Sequence, residues 1–354
     1  MKNSFTKILA VLGAVIFMLA SLTSCDTEKK EYTSFAMGSV ISAVIYRTGN
    51  EDTDSLWNEI CSLVNSSDKA ISATDESSYI SRVNASGTAK VNEYTVELLK
   101  KAVLLCNTLN RRLDITIGAV TSLWGFTGST PRVPETDELK KALDSVNLDG
   151  VFIDDTGLSV SLKEGQKLDL GALGKGEACD IIKNKLTEKG LSACVTFGGN
   201  VLVTGKNPNG QKGLWKIGLR DPKGTENDVF AALTLDASGG AKCVSTSGSY
   251  EKCFEENGKK YHHIIDPSTG YPVENGLASV SVVCPSGLNA DALSTAIFVN
   301  GLNDTSLMWL DSFGAEAVFV FDDGSVFVTD GLNQNFAITK TDNYKTVTYE
   351  EATK

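Results

Sequence analysis

Asn289-Ala290-Asp291-Ala292-Leu293-Ser294-Thr295 sets a carboxylate and a hydroxyl four residues apart. On a helix those positions share a face, so Asp291 and Thr295 project together. A carboxylate with a hydroxyl is a hard oxygen set suited to Mg²⁺, which commonly completes its shell with waters and substrate phosphates. The plainer alternative is an aspartate that stabilises a helix N-terminus. Leu168-Asp169-Leu170-Gly171-Ala172-Leu173-Gly174-Lys175-Gly176 leads straight into another helical pattern. Its glycines let a backbone approach a ligand closely, and a helix N-terminus favours anions. Lys175 could reach a phosphate there as a point charge. The spacing is not that of a Walker A loop. A tight turn with a surface lysine would read the same way.

Two further segments combine polar residues with turn signals. Tyr261-His262-His263-Ile264-Ile265-Asp266-Pro267-Ser268-Thr269-Gly270 contains the only two histidines of the chain, just before an Asp-Pro turn. Alternation along a strand would point one of the pair inward. A near-neutral intrinsic pKa suits either ring to general-base work. Upstream, Ser245-Thr246-Ser247-Gly248-Ser249 offers hydroxyls and flexible backbone for phosphate, or only a hydrated loop. Leu113-Asp114-Ile115-Thr116-Ile117-Gly118, followed by Leu123-Trp124-Gly125-Phe126, puts Asp114 at a strand start, where it could equally cap a turn.

The elements that must position these residues mix strands and helices without a regular βαβ rhythm. Leu56, Ile60, Leu63 and Val64 fall on one helical face. Thr95–Asn110 reads as a second helix, Thr136 as the cap of a third, and Lys175–Lys189 as a fourth that stops at Gly190. A late helix covers Ala290–Asn300. Ser39–Tyr46, Ala193–Thr196, Leu214–Leu219, Val229–Leu235 and Ser279–Val283 read as strands, with hairpins at Val151–Leu162 and Ala317–Val328. Such an order predicts an α+β fold in one domain.

The chain opens with Lys2 and Lys7, an apolar run from Ile8 to Leu22, and Leu22-Thr23-Ser24-Cys25. That is a secretory signal rather than a bilayer span, which needs roughly 20 apolar residues. The closing tetrapeptide resembles a lipobox, so residues 1–24 are expected to be a lipoprotein signal peptide and Cys25 the lipidated residue. Residues 25–34 then form a charged tether, and 35–354 the folded domain. The implied location is a bacterial membrane surface outside the cytoplasm. Removing the signal takes two lysines and no acid, moving the net charge from −11 to −13. So acidic a chain argues against nucleic acid as a partner. The seven cysteines after Cys25 are scattered and lack any CxxC. They are neither a zinc site nor a clear disulfide framework.

Taken together, these segments resemble the ApbE family of flavin transferases over nearly all of residues 35–330. The resemblance rests on seven segments in the family order. They are Met37-Gly38-Ser39, Asp114-Ile115-Thr116 with Leu123-Trp124-Gly125-Phe126, Asp169-Leu170-Gly171-Ala172 with Lys175-Gly176, and Gly198-Gly199-Asn200. Ser245-Thr246-Ser247-Gly248, His263-Ile264-Ile265-Asp266-Pro267 with Thr269-Gly270, and Ala290-Asp291 with Thr295 complete them. It implies a single T-fold-like domain of mainly antiparallel sheet with flanking helices. It implies that Met37, the stretch Arg112-Leu113-Asp114, Asp169, Lys175 and Ile265 contact FAD. It also implies that the Ala172 carbonyl, Asp291 and Thr295 hold Mg²⁺, and its motif has a histidine at the position of His263, which makes His263 the candidate general base. The implied reaction moves FMN from FAD to a Thr or Ser hydroxyl of an exported or membrane redox-complex subunit and releases AMP. One departure stands out: Thr74 occupies a position where many relatives carry an aromatic residue able to face the flavin. Two alternatives therefore stay open, an FAD pyrophosphatase giving FMN and AMP, and a flavin-binding lipoprotein without catalysis.

Overall fold

A computed structural model describes residues 27–47, 49–127, 130–225 and 227–354. The signal segment and Cys25 lie outside the described residues. Seventeen strands occur in it. In chain order the first nine are β1 (Glu28–Ala36), β2 (Ser39–Arg47), β3 (Thr88–Lys90), β4 (Val151–Asp154), β5 (Ser159–Leu162), β6 (Ser192–Phe197), β7 (Asn200–Gly205), β8 (Trp215–Arg220) and β9 (Val229–Leu235). Then follow β10 (Ala237–Gly248), β11 (Cys253–Glu256), β12 (Lys259–His262), β13 (Leu277–Cys284), β14 (Glu316–Phe321), β15 (Ser325–Val328), β16 (Phe336–Ile338) and β17 (Lys345–Thr346). Nine of them form one sheet in the order β1-β2-β6-β7-β10-β13-β14-β15-β17. Every neighbouring pair in it is antiparallel except β15 with β17. The fold is the expected α+β arrangement of mainly antiparallel sheet with flanking helices.

Burial explains the layering. Along β2, Ile41, Ala43 and Ile45 are buried while Val40 and Ser42 are exposed, the period-two pattern of a strand covered on one face. All eight residues of β13 are buried, so this strand is covered on both faces. One cover is the helix Gly287–Asn300, apolar nearly all round and packed in the main core with the helix Gly174–Glu188. The other is the three-stranded sheet β16-β9-β8, which closes a second core around Phe230, Leu233 and Val320.

The two helices approach closely at paired glycines. A Cβ on Gly176 would lie 2.4 Å from the Gly287 carbonyl oxygen and 2.6 Å from Asp291 Cβ. A Cβ on Gly287 would lie 2.4 Å from the Gly176 carbonyl oxygen. Glycine at both positions is what allows the backbones to meet, and the meeting carries the Gly176 N–H onto the Asp291 side chain.

Several expectations need correction. Residues 28–34 are not tether: β1 pairs with β2 from Glu28↔Arg47 to Ala36↔Ser39. Alternating Lys30, Tyr32 and Ser34 turn a half-buried face inward despite the charged composition. Thr136 is the first residue of its helix rather than its cap. Glu135 takes the cap position, with its N–H donating to Glu138 Oε1 at 2.8 Å. Ser245–Gly248 is the end of β10, not a hydrated loop. Asp114 starts no strand; its Oδ1 accepts the Thr116 N–H at 2.8 Å and the Thr116 hydroxyl at 2.6 Å in a turn. The late helix begins three residues early, at Gly287, with Ser286 as its cap.

Candidate active site

The strand register brings one end of the large sheet together. Ala36↔Ser39, Phe197↔Asn200 and Asn200↔Ser245 place the β1–β2 turn, the β6–β7 turn and the end of β10 side by side. Against that end a cleft, partly open to solvent, runs between the helix starts and the segments 112–127 and 251–267. It is lined by Arg112, Leu113, Asp114, Asp169, Ala172, Lys175, His263, Ile265, Asp291 and Thr295. Of the described residues expected to contact FAD, hold the cation or act as the base, only Met37 lies outside that lining. It sits behind the cleft floor, its Sδ 3.6 Å from where a Cβ on Gly174 would be. Its backbone φ is +47° and its N–H donates to Asp68 Oδ2 at 2.9 Å, which ties the β1–β2 turn to the helix Thr53–Ile71. Thr74 is exposed and does not line the cleft.

At the floor stands Asp291. Because its helix starts at Gly287, it lies beyond the first turn, and the helix-capping alternative does not apply. Its Oδ2 accepts the Gly176 N–H at 2.8 Å and its Oδ1 accepts the Ser245 hydroxyl at 2.9 Å. Burial raises its pKa, an effect opposed by the charge of Lys175 and by these hydrogen bonds. The Asn200 amide approaches the same carboxylate, yet its Nδ2 is buried without a partner of hydrogen-bond geometry. Around the carboxylate runs a chain of hydroxyls: Ser247 to Ser294 at 3.0 Å and Ser247 to Thr295 at 3.3 Å.

These residues fit a hard cation. Each Asp291 oxygen retains a lone pair beyond the hydrogen bond it accepts. Ala172 also lines the cleft, and its carbonyl accepts no hydrogen bond among the described residues. A buried carboxylate whose charged form is disfavoured, a free carbonyl and a hydroxyl are donors that a cation would relieve. Among the described residues no three His, Cys, Asp or Glu side chains gather as a metal cluster. A cation here would therefore draw the rest of its shell from water or substrate.

The two histidines divide as alternation requires. His262 is buried against Phe298, with Nε2 2.9 Å from the Val273 carbonyl and Nδ1 accepting the Ile264 N–H at 3.3 Å. It is fully engaged in structure. His263 opens on the cleft, with Nδ1 3.1 Å from the Glu251 carbonyl. A carbonyl can only accept, so Nδ1 carries the proton and Nε2 keeps its lone pair. Burial first, then the positive charges of Lys252 and Lys175, push the His263 pKa down from 6.5 to about 3. The ring is a neutral base.

Lys252 was not singled out from the sequence. It stands at φ +39° in the turn between β10 and β11, and nothing in Ser249-Tyr250-Glu251-Lys252 marks it as more than a surface turn. In the fold it lines the cleft, and burial followed by the nearby Lys175 lowers its pKa. Neither lysine has a carboxylate within ion-pair distance among the described residues. Two unpaired ammonium groups facing one cleft form a site for a polyanion. At the outer wall, Asp169 is held by the Gly171 N–H and the Thr121 hydroxyl, both at 2.8 Å. Arg112 lies 3.7 Å from Asp266. Phe126 leads from the cleft into an aromatic cluster with Trp124, Phe254 and Tyr261.

A cleft with a carboxylate–hydroxyl floor, a polyanion-binding pair of lysines and a neutral histidine defines a phosphoryl-transfer site on an antiparallel α+β domain. The ApbE family model matches residues 37–319, and the chain belongs to the ApbE family. It is similar to the FAD:protein FMN transferase of Treponema pallidum, 30% identical over 91% of this chain and 93% of that protein. The FAD:protein FMN transferase of Klebsiella pneumoniae is 27% identical over 88% and 95% respectively. The crystal structure of the ApbE protein from Thermotoga maritima superposes with a TM-score of 0.78 at 32% identity, covering 87% of this chain and 99% of that one. The apo flavinyl transferase ApbE of Pseudomonas stutzeri gives 0.74 at 27% identity, covering 87% and 97%.

Proposed function

We propose that the protein is an FAD:protein FMN transferase that moves FMN from FAD to a serine or threonine hydroxyl of an exported or membrane redox protein and releases AMP. The observation that carries this reading is the meeting of His263, Lys175, Lys252 and the Asp291–Thr295 pair in one cleft. Asp291, Thr295 and the Ala172 carbonyl are the residues that would hold Mg²⁺. Bound there, the ion would neutralise diphosphate charge and polarise the phosphorus under attack. Phosphoryl transfer otherwise asks the protein mainly for positioning and charge compensation. Lys175 and Lys252 supply both. The acceptor oxygen forms a bond to the FMN-side phosphorus, the bond to the AMP oxygen breaks, and the hydroxyl proton passes to Nε2 of His263. The Glu251 carbonyl holds the ring in the tautomer that can take it. A ring with so low a pKa is a weak base in the empty cleft. Diphosphate charge cancels two of the causes that depress it, so substrate binding strengthens the base it needs.

Cys25 is the proposed lipid attachment site, with residues 1–24 as the signal, which places the enzyme on a membrane face where exported clients reach it. The decisive experiment incubates residues 27–354 with FAD, Mg²⁺ and a candidate acceptor and follows AMP and acceptor mass together. Transfer gives AMP and an FMN-modified acceptor. AMP with free FMN means hydrolysis, and neither product means a binder; each would overturn the proposal.

A further inference from the structure

An FMN transferase must hold a polypeptide as well as a nucleotide, and one surface beside the cleft is built differently from the rest of the sheet edge. β1 is an end strand of the nine-stranded sheet, so among the described residues one of its edges is unpaired. Such edges are normally blunted by charge, because free backbone groups invite another strand. The first half of β1 is blunted: Glu28, Lys29, Lys30 and Glu31 occupy it, and Glu28 and Lys30 are held in ion pairs to Arg47 and Asp54. The second half, Thr33-Ser34-Phe35-Ala36, carries no charge. Phe35 and Val40 sit directly opposite each other across the β1–β2 ladder, 64% and 55% exposed. Next to them on that face come the exposed hydroxyls of Thr33, Ser42 and Thr196.

The turn beside this tip reaches the cleft from the other face of the sheet, because successive residues of a strand point to opposite faces. Ser39, next to Val40, has its Oγ 2.6 Å from where a Cβ on Gly198 would be, and Lys175 Cδ is 3.1 Å from the same point. Gly198 and Lys175 both line the cleft. A strand added beside Thr33–Ala36 would thus run along the sheet towards the cleft end. Its backbone would pair with β1, and an apolar side chain at an alternate position would cover Phe35 and Val40.

We propose that the uncharged half of β1, with Phe35 and Val40, is the docking edge for the acceptor polypeptide, which binds as an added extended strand that delivers its hydroxyl into the cleft. The proposal rests on the transfer reading above. The test uses a pool of twelve-residue peptides with one fixed threonine and varied flanks, incubated with the enzyme, FAD and Mg²⁺. Peptide mass and AMP are both recorded. Wild type should modify peptides with apolar residues at alternate positions on one side of the threonine. The double variant Phe35→Asp, Val40→Asp changes only exposed side chains. It should lose at least tenfold in kcat/KM for those peptides, with FAD half-saturation and water-dependent AMP release unchanged. The amide hydrogens within residues 33–36 that face away from β2 should slow their exchange when a modified peptide is bound. Equal peptide kinetics in variant and wild type, or absence of that protection, would each overturn the docking edge. AMP release with no peptide modified, or no AMP at all, would instead overturn the transferase reading.

Discussion

Substituting Lys252 by methionine should raise the pKa of His263, and the chain's having only two histidines makes this measurable. The pKa of His263 is held at about 3 instead of 6.5 by burial, then Lys252, then Lys175. At ~1.4 kcal/mol per pH unit, the span favours the neutral ring by roughly 5 kcal/mol. Burial is the largest cause, so Lys252→Met should recover only part of the span and leave the ring titrating between about 3 and 6.5. Saturation with FAD should move it the same way in wild type, through the diphosphate charge. The sign on stability follows. Between pH 6.5 and 3 the unfolded chain binds a proton that the folded ring refuses, so this group removes stability as pH falls. His263→Gln should flatten that part of the stability profile. The assay is the imidazole proton shift against pH, with His262→Gln to assign the two signals. A His263 titration near 6.5 in the free enzyme, or no upward shift in Lys252→Met, would show that burial and Lys252 do not hold this ring neutral.

Other consequences are equally direct. Asp291→Ala should abolish Mg²⁺-dependent AMP release, Asp291→Asn should demand far more Mg²⁺, and Thr295→Val should be milder; AMP release against Mg²⁺ concentration measures all three. Without Mg²⁺, Asp291→Asn should melt higher than wild type, because the raised pKa shows that burial disfavours the charge. Gly176→Ala should cost about 1–3 kcal/mol by overpacking and weaken Mg²⁺ dependence, since the new Cβ meets the Gly287 backbone and Asp291; denaturant melts and the same titration test it. Cys25→Ser should leave an unprocessed or mislocalised precursor, and unchanged processing and membrane fraction would contradict lipidation.

Much of the site was legible because its residues belong to local patterns. Asp291 and Thr295 declare themselves by helical spacing, and Lys175 by a glycine-rich entry to a helix. What could not be read was set by tertiary contact. Lys252 has no local signature, and only folding turns it towards Lys175. Gly287 gave no sign of its role, since the reason for it is the backbone of another helix 111 residues earlier at Gly176. The charged opening of β1 read as a tether because composition hides alternation, and the pairing with β2 decides. The end of β10 read as a loop because serine and glycine favour turns, yet neighbours on both sides hold it as a strand.

Whether His263 takes up the acceptor's proton during FMN transfer is read from the single-turnover rate at which FMN mass appears on an acceptor, compared between wild type and His263→Ala at saturating FAD and Mg²⁺. A loss of about 10² to 10⁴ in that rate is expected, with FAD affinity nearly unchanged. Transfer at the wild-type rate, or an equal loss in His262→Ala, would contradict it.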